Sequence, residues 1–583
     1  MVLPSAPEHG TSLLLIEGGF TAIAFGVAFC WPRLGSSWFS RIEHAFGRLA
    51  RRKGLSVAVV GLAALVLRLG TLPLNPIPQP VIHDDFSYLL AADTFASGRL
   101  TNPTPAMWTH FESVHITMKP TYMSMYFPVQ GLILAAGKVF AGHPWYGILL
   151  ETALMCAAIC WMLQAWLPPT WALLGGVLAI LRLGLFSYWI NTYSGAGSIT
   201  ALGGALVLGA LPRFVKAVRF RDGLLMALGV ILVGSCRPFE GTLLCMPVVF
   251  VLVRWIFFGS NRPTMTVLAR RSAAPLALIV AAGAWMGYYN YRVFGSPLTL
   301  PYTIDRSEYA MAPYFIWQPQ RPQPVYRHKI IQEFYSGVEL DAFKRVHSVS
   351  GFMFLTLAKV SEKFLFFAGF VLLIPLIMLR RVFLDRRIRF LLLCLLVLMT
   401  GQLVEAFLIP HYAAPFTAAF YAIGLQAMRH LRLWSPGDQP VGMMLTRLTV
   451  TLCVGLAVVR LYAEPLHLYL PVWPAPACLS GWSGPDSRSG LARAQMESHL
   501  EQLPGRQLVI VRYAPDHNPL VEWVYNAADI DGSKVIWARE MDAANNLELI
   551  DYYKDRKVWL VQPDSQASET PYTAPGHQSV ALR

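Results

Sequence analysis

Charge is what this chain lacks. Only 14% of its 583 residues are Asp, Glu, Lys or Arg, against about a quarter in soluble globular proteins. Hydrophobic residues make up 55%, and the mean hydropathy is +0.45. That shortage excludes a water-soluble enzyme of this size, and equally a disordered or fibrous chain. What remains is a polytopic membrane protein. Cysteine is scarce as well. Eight are scattered (Cys30, Cys156, Cys160, Cys236, Cys245, Cys394, Cys453 and Cys478), and all but Cys478 lie in or at the ends of apolar runs. Cys156 and Cys160 are one helical turn apart, but no His or Cys cluster accompanies them, so neither a disulfide framework nor a zinc pattern is present. P-loop and HExxH motifs, internal repeats and long low-complexity segments are also missing. Gly195-Ala196-Gly197 is half a nucleotide fingerprint with no strand before it. Asp529-Ile530-Asp531 reads as a turn before a strand rather than a metal-binding Asp-x-Asp. No cofactor is expected, and a divalent metal stays open.

What is present is a basic excess, 48 Lys and Arg against 34 Asp and Glu, for a net charge of +14. In a soluble chain this would suggest nucleic acid; in a membrane protein basic residues collect in cytoplasmic loops. A spanning helix needs ~20 mostly apolar residues. Candidates run at about 12–31, 55–72, 126–142, 145–166, 195–211, 222–237, 239–258, 274–293, 364–380, 388–409, 411–428 and 441–461. The stretch 168–192 is apolar but broken by Arg182 and Gly184. Arg41, Arg48, Arg51, Arg52 and Lys53 put the loop after the first span in the cytoplasm, and the N-terminus outside. Later basic clusters around 213–221, 254–271, 380–389 and 429–432 fall on the same side if 168–192 crosses zero or two times, as a pair of half-helices does. The expected architecture is an all-α polytopic core of about 12–13 transmembrane helices with a small C-terminal α/β domain. Its parts are an N-terminal helix and basic loop (1–53), a transmembrane core (54–461) with outer loops 73–125 and 294–363, a linker (462–489) rich in Pro, Gly, Ser and Trp, and a soluble extracytoplasmic domain (490–583). In the domain, a helix-like 490–503 precedes strands at 507–513, 534–539 and 557–561, with an amphipathic 542–553 before the last.

The chemistry-bearing residues gather outside. Asp84 and Asp85 open a helical pattern at 83–98. One of them can cap the helix, leaving the other free to act as a general base at the lipid boundary. Farther along this loop come Trp108, His110, Glu112, His115 and Lys119, a mixture that suits sugar or head-group binding, or simply a wetted interfacial loop. Arg237 and Glu240 lie at the outer turn 235–241, and His411 and Tyr412 open HYAAP (411–415). Arg182 and Glu405 lie within apolar runs. Intramembrane charges are costly unless paired, so each is either half of an internal pair or a functional group. Gly203, Gly204 and Gly209 suit close helix packing.

The motif DDFSYLLAADTFASGRL (84–100), followed by MYFPVQGLIL (125–134) and late in the core by HYAAPFTAAFYAI (411–423), resembles the GT-C superfamily of membrane glycosyltransferases, in particular bacterial protein O-mannosyltransferase and aminoarabinose-transferase relatives. Phe127-Pro128 stands where relatives carry a double proline, and Met125 where they often have a basic residue. The segment 517–540 is similar to C-terminal domains of bacterial relatives. The resemblance implies a plasma-membrane enzyme that uses a polyprenyl-phosphate sugar donor and a glycan, lipid or protein acceptor, with no nucleic acid involved. Asp84 or Asp85 would deprotonate the acceptor hydroxyl, and the sugar would transfer with inversion. Arg237, Glu240, His411, Tyr412, Lys119 and His115 would bind the donor phosphate and substrate. A transporter or flippase for a lipid-linked or small polar substrate is the competing class, although its repeated halves are not seen.

Overall fold

The computed structural model describes residues 11–259, 262–407, 409–463, 465–469, 487–565 and 569–572. Residues 1–10, Cys478 and most of the 462–489 linker lie outside them. A helix occupies each apolar run. Among the described residues, seven are long and apolar enough to cross a membrane alone: Leu13–Cys30, Lys53–Gly70, Trp145–Trp166, Gly197–Ala217, Pro238–Phe258, Met265–Phe294 and Val441–Leu461. Pro128–Ala141, Pro169–Gly184 and Arg389–Leu403 are apolar but shorter. Proline opens several of them because the first helical turn has no use for its missing N–H. Leu15, Phe140, Val280 and Phe258 are 70–89% exposed, as side chains facing lipid should be.

Two runs are built differently from expectation. The run 364–380 is not one span. Val349–Phe367 and Val371–Leu384 meet at 110°, and the second begins with tight 3₁₀ turns enclosing Pro375, whose ring cannot continue an α-helical ladder. The stretch 168–192 is not an equal pair of half-helices. Pro169–Ala179 runs on through a wide turn at Ile180–Gly184, and only a single turn, Tyr188–Asn191, follows. Arg182 sits on the wide turn. Its Nε donates to the Phe366 carbonyl at 2.8 Å and it lies 3.7 Å from Glu17, which also pairs with Arg460. This charge is spent on joining helices.

The interior forms where Trp145–Trp166, Gly197–Ala217 and the 410–428 region pack together. At Gly204 the approach is so close that a Cβ would lie 1.8 Å from the Pro415 carbonyl oxygen, so the turn carrying His411 rests directly on the Gly197–Ala217 helix.

The small α/β domain is present. Its sheet places Arg506–Val511 between the parallel strands Val535–Arg539 and Arg556–Val561, with Glu569–Pro571 antiparallel at the edge. Helices Ser487–Gln502 and Ala543–Tyr552 flank it. Asp529 and Asp531 do form a turn: Asp529 accepts the Gly532 N–H and Asp531 the Tyr553 hydroxyl. The domain sits on the first loop, whose His83–Ala96 helix and short hairpin (Ile116–Thr117 with Met123–Ser124) pack against it through Phe111, Ile116, Tyr122, Ile536 and Tyr553.

Candidate active site

The two adjacent aspartates are sorted by their surroundings. Neither occupies the N-cap, which is Ile82; both lie in the first turn of His83–Ala96, where negative charge suits the helix dipole. Asp85 is 2% exposed, and its two oxygens accept the Val81 N–H at 3.2 Å and the Tyr193 N–H at 3.0 Å. It fastens the loop to the 188–195 turn. Burial pushes its carboxyl up to about 6, against the pull of those N–H groups. Asp84 leaves 19% of its side chain open. Its Oδ1 receives His115 Nδ1 at 2.5 Å and His83 Nδ1 at 3.0 Å. Burial raises this carboxyl, but the charge and hydrogen bonds of the two imidazoles outweigh it and hold Asp84 well below the ordinary range. It is a carboxylate at any physiological pH.

His115 is held as unusually as Asp84. Its backbone is left-handed (φ 65°), a conformation that costs energy for a residue with a side chain. Its ring meets His83 edge-on at 4.5 Å and Phe334 at 5.4 Å, and the Tyr126 hydroxyl lies 3.0 Å from its Nδ1. Burial lowers its imidazole, but Asp84 raises it more, to a position above the usual one.

Arg237 stands just before Pro238–Phe258. Its guanidinium covers the Tyr412 ring at 4.6 Å and lies 3.8 Å from Glu240, too far for a hydrogen bond. One long bond, 3.3 Å, reaches the Gly195 carbonyl, and Nε has no partner among the described residues. Tyr88 and Tyr302 lie within electrostatic reach of both Arg237 and Asp84. Tyr88 stacks on Tyr126 at 4.3 Å, and Tyr302 meets Tyr126 at 5.9 Å. His411 bonds Tyr188 (Nδ1 to hydroxyl, 2.8 Å) beneath Gly195. The structure therefore links the Asp84–His115 pair to Arg237 through Tyr88, Tyr302 and His411, which lie within electrostatic reach of both; Glu240 and Tyr412 adjoin Arg237, and Asp85 ties the first loop to the 188–195 turn.

Lys119 is not among them. It is exposed, with its ammonium 4.2 Å over the Trp108 ring, which Arg327 also covers at 4.6 Å. His110 turns instead to the Arg539 carbonyl in the C-terminal domain, and Glu112 takes the Tyr309 hydroxyl and Arg327 from the second loop. Sequence reasoning missed His83, Tyr88, Tyr126, Tyr302 and Asp305. Asp305 is fully buried, bonded by the Tyr335 hydroxyl at 2.9 Å, with its other oxygen unpartnered among the described residues. His83 was legible, since it directly precedes Asp84. The second-loop residues carry no local signal.

Ligand atoms of His83, Asp84 and His115 lie within 4.8 Å of one another, and two imidazoles with a carboxylate form a donor set that suits a divalent ion. The spacing does not suit one. Ligands of a tetrahedral ion at about 2.0–2.1 Å stand roughly 3.3 Å apart, whereas these atoms close to 2.5 and 3.0 Å as hydrogen bonds.

A set of helices long and apolar enough to cross a membrane, with a histidine-braced Asp84 in the first loop and an α/β domain packed on that loop, describes a multi-pass membrane protein. No family model and no curated protein matches the chain. Among solved structures, apo ArnT from Cupriavidus metallidurans is similar at 13% identity and TM-score 0.46, over 87% of this chain and 93% of that one. ArnT from the same organism bound to undecaprenyl phosphate gives 13% and 0.40, over 78% and 82%. The Archaeoglobus fulgidus oligosaccharyltransferase tethered to an acceptor peptide gives 11% and 0.42 over 78% of this chain. The chain spans only 62% of that protein's length.

Proposed function

We propose that this protein is an inverting membrane glycosyltransferase that moves a sugar from a polyprenyl-phosphate donor to a hydroxyl acceptor at the outer face of the plasma membrane. The observation that carries the reading is that Asp84, bonded by two imidazoles, lies within electrostatic reach of the same tyrosines as the under-bonded Arg237. Asp84, ionised and oriented by two imidazoles, takes the acceptor proton. The acceptor oxygen attacks the anomeric carbon, the bond from that carbon to the phosphate oxygen breaks, and polyprenyl phosphate leaves. Arg237 is under-bonded because its partner is the phosphate, whose growing charge it stabilises with Tyr88, Tyr302 and Tyr412. His411, already bonded to Tyr188, lies within electrostatic reach of Asp84 and Arg237. The lipid tail lies along the exposed apolar helices, and basic loops at the opposite end set the orientation. The sequence motifs support the same reading.

The test is transfer of labelled lipid-linked sugars in membranes. Asp84→Asn should lose about 10²–10⁴-fold, the usual worth of a positioned base. Arg237→Met should lose on the order of 10²-fold. Normal transfer by a normally expressed Asp84→Asn variant would remove the assignment.

A further inference from the structure

The C-terminal domain reaches both walls of the Asp84–His115 contact. On one wall, the Val81 N–H donates to Asp85 while the Val81 carbonyl accepts the Glu522 N–H at 3.0 Å, and Ile82 pairs antiparallel with Val521. On the other, the Ser113 hydroxyl donates to Glu522 Oε2 at 2.9 Å, and Arg539 Nε donates to the Glu112 carbonyl at 2.6 Å. Glu522 touches both walls: its main chain holds the segment leading into Asp84, and its side chain holds the segment leading into His115. Its carboxylate is 5% exposed and fully engaged. Besides Ser113 and Arg539, it accepts the Tyr513 hydroxyl at 2.8 Å, the Trp523 N–H at 3.0 Å and the Val524 N–H at 2.8 Å.

We propose that Glu522 is a positioning residue that sets the spacing of Asp84 and His115, so that the C-terminal domain completes the site instead of merely being tethered beside it. The role of Asp84 in transfer rests on the functional reading above; the mechanical claim does not. The left-handed His115 needs outside support, because a strained backbone persists only where its surroundings over-determine it. The short Asp84–His115 bond closes only if residues 81–85 and 113–115 are both fixed. Ser87 on the His83–Ala96 helix already donates to the His115 carbonyl at 2.7 Å; Glu522, more than 400 residues farther along the chain, adds the outside tie, through its main chain to Val81 and its carboxylate to Ser113.

The experiment uses the full chain in lipid nanodiscs, with hydrogen–deuterium exchange read beside transfer. In Glu522→Gln the amides of 81–86 and 109–117 should exchange at least tenfold faster together, while strands Arg506–Val511 and Arg556–Val561 stay protected. Transfer kcat should fall at least tenfold with the donor KM within twofold, and Glu522→Asp should recover a third or more of it. Should the strands also lose protection, the domain has unfolded, and Ser113→Ala becomes the deciding variant. It lies outside the domain, and it should speed exchange at 109–117 and lower kcat about threefold. Unchanged exchange in both wall segments of a folded Glu522→Gln, or in 109–117 of Ser113→Ala, overturns the proposal. If the wild type transfers no lipid-linked sugar, the functional reading fails, while exchange still decides the mechanical claim.

Discussion

Two neighbouring carboxylates with opposite surroundings should behave oppositely when neutralised. Asp84→Asn removes the charge that two imidazoles hold, whereas Asp85→Asn weakens an anchor, so the second should keep transfer within about tenfold of wild type and show its effect in stability. The sign follows from where Asp85 titrates. Its folded carboxyl sits at about 6, above the ~3.9 of an unfolded chain, so between those values the folded state holds the extra proton. That contribution to stability is present at pH 4 and is lost as pH rises through 6. It amounts to 2–3 kcal/mol at most, at about 1.4 kcal/mol per unit. Melting of the purified protein from pH 4 to 7 should show this slope, and Asp85→Asn should flatten it. Chelation is a further check at the same scale. Because His83, Asp84 and His115 close on one another as hydrogen bonds, EDTA should leave transfer unchanged.

Among the elements, the turn at 410–416 depends on the small residues beneath it. Gly195 has φ +85°, and a Cβ there would lie 2.7 Å from His411 Nδ1. Gly195→Ala should therefore displace His411 and strain the backbone, with a loss of about 1–3 kcal/mol visible in thermal melting, and a lower transfer rate. Such contacts also mark the limit of what the sequence can tell. The apolar runs were legible because lipid demands ~20 apolar residues in a row, and the strands of the C-terminal domain because β-rich segments alternate there with turns. Asp84 was legible from its place after a span. It could not be told from Asp85, since the difference lies in Tyr193 and His115, each brought in by a separate segment. Lys119 looked like a site residue from its loop alone, yet Trp108 draws it outward. Tyr302 and Asp305 were invisible because the second loop has no pattern until it folds against the first. The bend within 349–384 was hidden for a related reason: composition reports that a run is apolar, not whether it stays straight.

The whole molecule must be oriented for this chemistry, and orientation is measurable. In a background without native cysteines, Lys554→Cys in the C-terminal domain should react with a membrane-impermeant maleimide added to intact cells. Arg48→Cys in the basic loop should react only after lysis. The opposite pattern would place Asp84 and Arg237 on the wrong side for a lipid-linked sugar presented outside. The seam between Glu522 and the first loop also makes assembly a matter of time. At about 5–20 residues per second, synthesis needs roughly 20–90 s to travel from Asp84 to Glu522. Throughout that interval the first loop is made but lacks the strand edge that Val521 supplies to Ile82. On the proposal above, a nascent chain stalled before Glu522 would carry the Val441–Leu461 helix and all the helices before it, and an Asp84–His115 contact without its outside support.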